Sequence, residues 1–199
     1  MVEKIIAVDG DGVMFDYRKA FPLVWRAAFG TDIQMVRPDA YHAHTAYGIT
    51  WESVEQEAHF FKHFGEEAWS TMPLMDAGVK EGSELLVDAG FTLVCVSSMN
   101  PQFEAARKRN CELHALPFSE VHAVKRSGAG NPKKAVLERL RPVALADDLM
   151  DNFEDLSHEI HTAFIDYGRF DSPSLTSPLV PMSTHGSFLE FARYWVSRK

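Results

Sequence analysis

Cysteine is scarce in this chain. Two residues in 199, Cys95 and Cys111, exclude a disulfide framework and a cysteine-rich zinc site. Cys95 lies inside an apolar run and is expected as a buried thiol. Basic charge is also short, since 20 Lys+Arg against 28 Asp+Glu leave a net charge of −8. A surface of that sign repels nucleic-acid backbones and anionic lipids, so neither a nucleic acid polymer nor a membrane is an expected partner. A small phosphorylated substrate stays open if a metal ion offsets the local charge. No apolar run approaches the roughly 18 residues that cross a bilayer. Only Ile5, Ile6, Ala7 and Val8 separate Met1-Val2-Glu3-Lys4 from Asp9, too little for a secretory leader. The expectation is a soluble protein of a reducing cytoplasm.

What is present is an ordinary globular composition, 46% apolar, in a chain long enough to bury about 70% of its unfolded surface. Four short apolar runs, 4–8, 91–96, 143–146 and 161–165, are continuous rather than alternating, as in strands buried on both faces. Residues 120–124 form a weaker fifth candidate. Asn100-Pro101 and Asn131-Pro132 each place a cap before a proline, opening helices to about His114 and Leu140. Asp151–Glu154 and Ser187–Glu190 have the spacing of capping boxes. Strands alternating with helices predict an α/β fold with a parallel sheet.

Residues 15–77 break this rhythm. They contain no convincing strand and many aromatics, and they predict a helical insertion after the first strand. Within it, Trp51, Val54, Ala58 and Phe61 fall on one helical face. The tail 169–186, with Pro173, Pro178 and Pro181, reads as a surface loop.

The chemistry concentrates where strands end. The first strand runs into Asp9-Gly10-Asp11-Gly12-Val13. Ligands of open parallel sheets bind outside the carboxyl ends of the strands, although a polar turn closed by side-chain hydrogen bonds would use the same residues. The second strand ends in Ser97-Ser98 and the fourth in Asp147-Asp148. Asn131-Pro132 places Lys133 and Lys134 in the first turn of a helix, where a cation opposes the helix dipole and points to a neighbouring anion.

This order resembles the haloacid dehalogenase superfamily of phosphohydrolases. Asp9-Gly10-Asp11-Gly12-Val13 matches its first motif, Ser97 the second, Lys133 or Lys134 the third, and Asp147 with Asp148 the fourth. Ala146 departs from the glycine many members have before the acidic residue, which leaves open whether Asp147 or Asp148 holds the metal directly. The resemblance implies a Rossmann-like core over 1–14 and 78–199 with a helical cap over 15–77. It also implies a Mg²⁺-dependent phosphatase. Asp9 would be the nucleophile that forms an aspartyl-phosphate, and Asp11 the general acid and base. Ser97, Ser98 and Lys133 would bind the phosphate. Asp9, the Asp11 backbone carbonyl, Asp147 and Asp148 would hold the ion. The Ser-Ser ending and the Asp-Asp pair are similar to the 5'(3')-deoxyribonucleotidase branch. The alternatives are a phosphomutase using the same aspartate and a non-catalytic binding protein with the same fold.

Other signals are weaker. Gly128-Ala129-Gly130-Asn131-Pro132-Lys133-Lys134 lacks the ending of a nucleotide P-loop. His59 and His63, with His42 and His44, suit solvent exposure better than a metal site. Asp151 reads as a helix cap rather than a neighbour of the metal. Phe15, Tyr17, Phe21, Trp25 and Phe29 open the insertion. If one of them stacks on a base, a contact worth about 1–3 kcal/mol, nucleoside monophosphates would be preferred to hexose phosphates. Otherwise the five pack the insertion against itself.

Overall fold

The computed structural model describes residues 4–126 and 130–198; Gly128 and Ala129 of the loop-like run lie outside them. Six parallel strands form one sheet: β1 Ile5–Val8, β2 Thr92–Ser98, β3 Phe118–Val124, β4 Ala144–Asp147, β5 His161–Ile165 and β6 Ser183–His185, in the order β3-β2-β1-β4-β5-β6. Both faces are covered. Ile6, Val8, Leu93 and Cys95 belong to one apolar cluster, and Ala7, Val94, Val96 and Leu145 to another. Alternate residues thus feed opposite layers, which is why the strands read as unbroken apolar runs. Helices α5 (Gly78–Asp88) and α8 (Phe188–Ser197) contribute to the first layer and α7 (Lys134–Leu140) to the second. The chain reverses its direction of travel across the sheet at β1, between β2 and β4, and a ligand crevice opens at such a point.

Between β1 and β2 lie α1 (Tyr17–Phe29), α2 (Ala43–Ala46), α3 (Val54–His63) and α4 (Glu66–Ser70). The helical insertion is therefore present, and its apolar side chains join the sheet's own cluster. Helix α6 (Glu104–Leu113) follows β2 after a 3₁₀ turn that Asn100 caps by accepting from the Gln102 N–H at 3.1 Å.

Three expectations need correction. The predicted face of the 51–64 helix is wrong: Ser53 caps a helix that starts at Val54 and leaves Trp51 outside. Val54 and Phe61 are 77% and 47% exposed, while Phe60 is fully buried against Phe21. The 169–186 segment is not all loop, because Ser183–His185 pairs with Ala163–Ile165 as an edge strand. Three polar-leaning residues carry no strand signal of their own. Finally, Asp151 is not a cap. It sits within a 3₁₀ turn, Met150–Phe153, and faces Arg126 at 3.3 Å. Ser187 does cap α8, its Oγ accepting from Glu190 N–H at 3.2 Å, while the Glu190 carboxylate accepts from the Gly186 N–H at 2.6 Å rather than from Ser187 as a full box would.

Candidate active site

β1 delivers Asp9 to the carboxyl edge of the sheet, its N–H donating to Ala146 O at 2.9 Å. The chain then doubles back, with the Met14 and Phe15 N–H groups donating to Gly10 O at 3.0 and 2.8 Å. Both glycines are needed. A β-carbon on Gly10 would lie 2.6 Å from Ser97 Oγ. Gly12 has φ +87°, and a β-carbon there would lie 2.0 Å from Asp148 Oδ2. The turn thus admits a hydroxyl on one side and a carboxylate on the other.

Asp9, Asp147 and Asp148 are buried and bring carboxylate oxygens within 4.8 Å of one another. Among the described residues this is the one grouping of His, Cys, Asp or Glu suited to a metal ion. Lys133 stands immediately before α7, its N–H held by Asn131 Oδ1 at 2.8 Å. Its fully buried ammonium donates to Asp9 Oδ1 and, at 2.6 Å, to Asp147 Oδ2. Lys134 points away to Asp155 at 3.5 Å, so Lys133 is the lysine of the site. Burial works against the Lys133 charge, but Asp147 and Asp9 outweigh it and hold its pKa above the ordinary value. Burial pushes the Asp9 carboxyl up to about 7; Lys133 opposes this, while Asp147 and Asp11 add to it. Asp148 is raised well above the usual range by burial and then by the charges of Asp9 and Asp147.

One lysine among three buried carboxylates leaves negative charge uncompensated. Asp148 Oδ1 is buried without a hydrogen-bond partner, and so are Ser97 Oγ and Ser98 Oγ. Buried polar atoms are nearly always satisfied, so three orphans at one strand-end cluster call for a ligand. The all-oxygen donor set fits a hard divalent cation such as Mg²⁺. The Ser97 hydroxyl, packed against Gly10 beside Asp9, suits an oxyanion.

Four participants were not legible from the motifs. Asn152 Nδ2 donates to Asp147 Oδ1 at 2.8 Å, beside the Leu149 N–H at 2.9 Å. Arg107, on α6, is completely buried and donates to Asp11 Oδ1 at 2.6 Å. It lies over the Phe15 ring at 4.6 Å and the Trp69 ring at 5.1 Å. Tyr41 reaches from the insertion towards Asp148; burial and then that carboxylate raise its pKa far above normal. Arg169, beyond β5, shares a cavity of about 180 Å³ with Asp11, Gly12, Tyr41 and Asp148. Arg107, Tyr41 and Arg169 are remote in sequence from the motif each one touches, and Asn152 lies five residues beyond Asp147 in the next turn. The capping-box reading of 151–154 came closest, falling on the right turn but the wrong residue.

His59 and His63 are exposed and contact backbone carbonyls, of Ala28 at 3.0 Å and His59 at 2.9 Å respectively. Of the five aromatics that open the insertion, Tyr17 lines the cavity. Phe15 and Phe21 are buried, and Trp25 and Phe29 pack on each other at 4.4 Å.

No protein-family model matches the chain, and no curated protein matches it. Solved structures do resemble it. L-2-haloacid dehalogenase from Xanthobacter autotrophicus aligns over 98% of each chain at 11% identity with a TM-score of 0.61. A HAD-superfamily hydrolase, subfamily IA, from Geobacter sulfurreducens aligns over 96% of each chain at 15% identity with a TM-score of 0.60. A candidate β-phosphoglucomutase from Thermotoga maritima covers 98% of this chain and 99% of its own at 16% identity, with a TM-score of 0.62. The fold is the Rossmann-like α/β fold of the haloacid dehalogenase superfamily.

Proposed function

We propose that this chain is a Mg²⁺-dependent phosphatase that hydrolyses a small phosphate monoester through an aspartyl-phosphate on Asp9. The observation that carries the reading is the convergence of Asp9, Ser97, Lys133, Asp147 and Asp148 at the carboxyl edge of the sheet, with uncommitted oxygens on Asp148 and Ser97. A bound Mg²⁺, held by Asp9 and Asp148 with Asp147 behind them, would offset the charge of the phosphoryl group and of the carboxylate that attacks it.

The chain's own residues account for the rest. Lys133 aims Asp9 and Asp147 and opposes the upward push of burial on Asp9, and the charge of a bound divalent cation would complete the ionisation of that carboxylate. Ser97 donates its hydroxyl proton to a phosphoryl oxygen, with Ser98 beside it. Asp9 attacks phosphorus and the ester oxygen leaves with a proton from Asp11. Asp11 then takes a proton from the water that attacks phosphorus, which releases phosphate and restores Asp9. Arg107 keeps the Asp11 carboxylate in place between these transfers. A dehalogenase has no use for an acid–base carboxylate at position 11, and the presence of Asp11 there favours the phosphatase reading over that one. A phosphomutase shares every residue named so far and remains the second reading; what divides the two is whether water or a second substrate hydroxyl reaches the phosphoenzyme.

The cavity of about 180 Å³ is below the roughly 300–1,000 Å³ of pockets for larger ligands, which supports a compact substrate. A nucleoside monophosphate suits that volume poorly, and of the five aromatics that open the insertion Tyr17 alone lines the cavity.

The test is turnover of a phosphate monoester panel with Mg²⁺ by wild type and by Asp9→Asn, with circular dichroism to confirm folding. Asp9→Asn should lose at least about 10³-fold in kcat, roughly 4 kcal/mol of barrier. A folded Asp9→Asn protein with wild-type turnover would overturn the reading.

A further inference from the structure

Four cations line or abut the site, and three are committed. Lys133 serves Asp9 and Asp147. Arg107 serves Asp11. Arg18 is buried and fully engaged: it donates to Asp16 at 3.1 and 3.2 Å and to the Pro38 and Ala40 carbonyls at 2.7 and 2.9 Å. Arg169 differs. Its polar contact is one long approach to Met75 Sδ at 3.7 Å, and its guanidinium lies 5.5 Å from the centre of the Tyr167 ring. Among the described residues no carboxylate comes within 4.0 Å of it. Yet it is partly buried and lines the same cavity as Asp11, Gly12 and Asp148. Burial, and next the neighbouring Arg18, push its pKa below the ordinary guanidinium value, although the more distant Asp16 and Asp148 oppose them.

The position of Arg169 is fixed rather than accidental. Directly after β5, Asp166 Oδ1 accepts from the Gly168 N–H at 2.8 Å, closing a turn in which Gly168 adopts φ +70°. On the far side, the Phe170 N–H donates to Asp39 O at 3.2 Å, and Asp171 accepts from the Tyr41 N–H. The loop is thus clasped to the insertion, and Arg169 is held at the cavity wall between Tyr41 and Asp148. Asp16 and Asp148 act on it only from beyond ion-pair distance, and a partly desolvated arginine with no directly paired anion is unfavourable unless something pairs with it. Its planar fork matches a carboxylate or a phosphate two bonds at a time.

We infer that Arg169 receives a second anionic group of the substrate, so that the preferred substrate is a compact phosphate monoester carrying a carboxylate or a further phosphate at its other end. This rests on the phosphatase reading for the place of the reacting phosphate at Asp9, Ser97 and Lys133. The strand order supports the direction. Ser97 ends β2 on one side of β1, and Arg169 follows β5 on the other. A substrate joining the two would cross the mouth of the carboxylate cluster beneath Tyr41.

Three phosphonates test this by equilibrium binding, because their carbon–phosphorus bonds survive whether or not the enzyme turns over. They are propylphosphonate, 3-phosphonopropionate and propane-1,3-diphosphonate, titrated calorimetrically into the full chain with Mg²⁺ present. At least one of the two anion-tailed compounds should bind about tenfold or more tighter than propylphosphonate, as a charge-assisted bidentate contact implies. The tighter of the two identifies carboxylate or phosphate as the partner. Arg169→Gln should erase the advantage, and Arg169→Lys should keep part of it. An advantage below about threefold in the wild type, or one that survives Arg169→Gln, overturns the inference, as does failure of all three to bind. Hydrolysis of a panel of small phosphate monoesters, with and without a second anionic group, is measured alongside. Its absence counts against the phosphatase reading, whereas hydrolysis without an Arg169-dependent advantage counts against this inference alone.

Discussion

Asp147 and Asp148 are chain neighbours with the same side chain, and their surroundings give them different work. Both oxygens of Asp147 are engaged, one by Lys133 and the other by Asn152 and the Leu149 N–H. Asp148 keeps Oδ1 without a partner. Asp148→Asn should therefore weaken Mg²⁺ binding most, measured by calorimetry, with little loss of stability. Asp147→Asn should cost about 1–3 kcal/mol in urea unfolding, because it removes one of the two carboxylates that pair with the buried Lys133. Equal effects on both readouts would contradict the division. Gly12→Ala should also impair Mg²⁺ binding, since its β-carbon would displace the Asp148 carboxylate and its backbone would be strained. Near-wild-type affinity in Gly12→Ala would show that Asp148 is not a ligand. The motif residues themselves were visible in the sequence because each closes a strand or opens a helix. The sequence favours Lys133 with Lys134 as the alternative, and only the way the Asn131 turn buries one and exposes the other separates them fully. Asn152, Arg107, Tyr41 and Arg169 carry no local signal, because their partners lie on other elements.

At the scale of elements, α6 and the insertion complete what the strand ends begin. Helix α6 buries Arg107 beneath the Asp9–Val13 turn, sandwiched near Phe15 and Trp69, so Asp11, the proposed acid and base, is set by a helix more than ninety residues away in sequence. Asp11→Asn should slow alkyl phosphates by about 10²–10⁴-fold and an activated aryl phosphate much less, because the latter's leaving oxygen needs little protonation. Arg107→Lys should show a weaker form of the same split. Equal loss on both substrates would make the pair purely structural. The strands and the helix caps at Asn100 and Ser187 were readable because propensity and packing agree there. The α3 face was misread because Ser53 resets the start of the helix, and Phe60 and Phe64, not Val54 and Phe61, meet α1 and α4. Strand β6 escaped notice because its pairing comes from β5 and not from its own residues.

Over the whole molecule, a chain of net charge −8 folds around a buried cluster of three carboxylates and one lysine, an arrangement that a divalent cation should stabilise. Mg²⁺ at about 100 times its dissociation constant adds roughly 2.7 kcal/mol, or about 5–10 °C in Tm for a domain of this size. Chelation should reverse the shift, and Asp148→Asn should abolish it. A Tm indifferent to Mg²⁺ in the wild type would remove the metal from the account. No described helix is long and apolar enough to cross a membrane.

The central claim is that Asp9 carries the phosphoryl group. Acid quench of a single turnover, followed by borohydride reduction and peptide mass spectrometry, reads this directly, since an aspartyl-phosphate is reduced to homoserine. The account predicts homoserine at position 9 in a reacting wild-type sample and none in Asp9→Asn or in enzyme without substrate. Multiple-turnover hydrolysis with no modification at Asp9, or with the modification at another carboxylate, would contradict it.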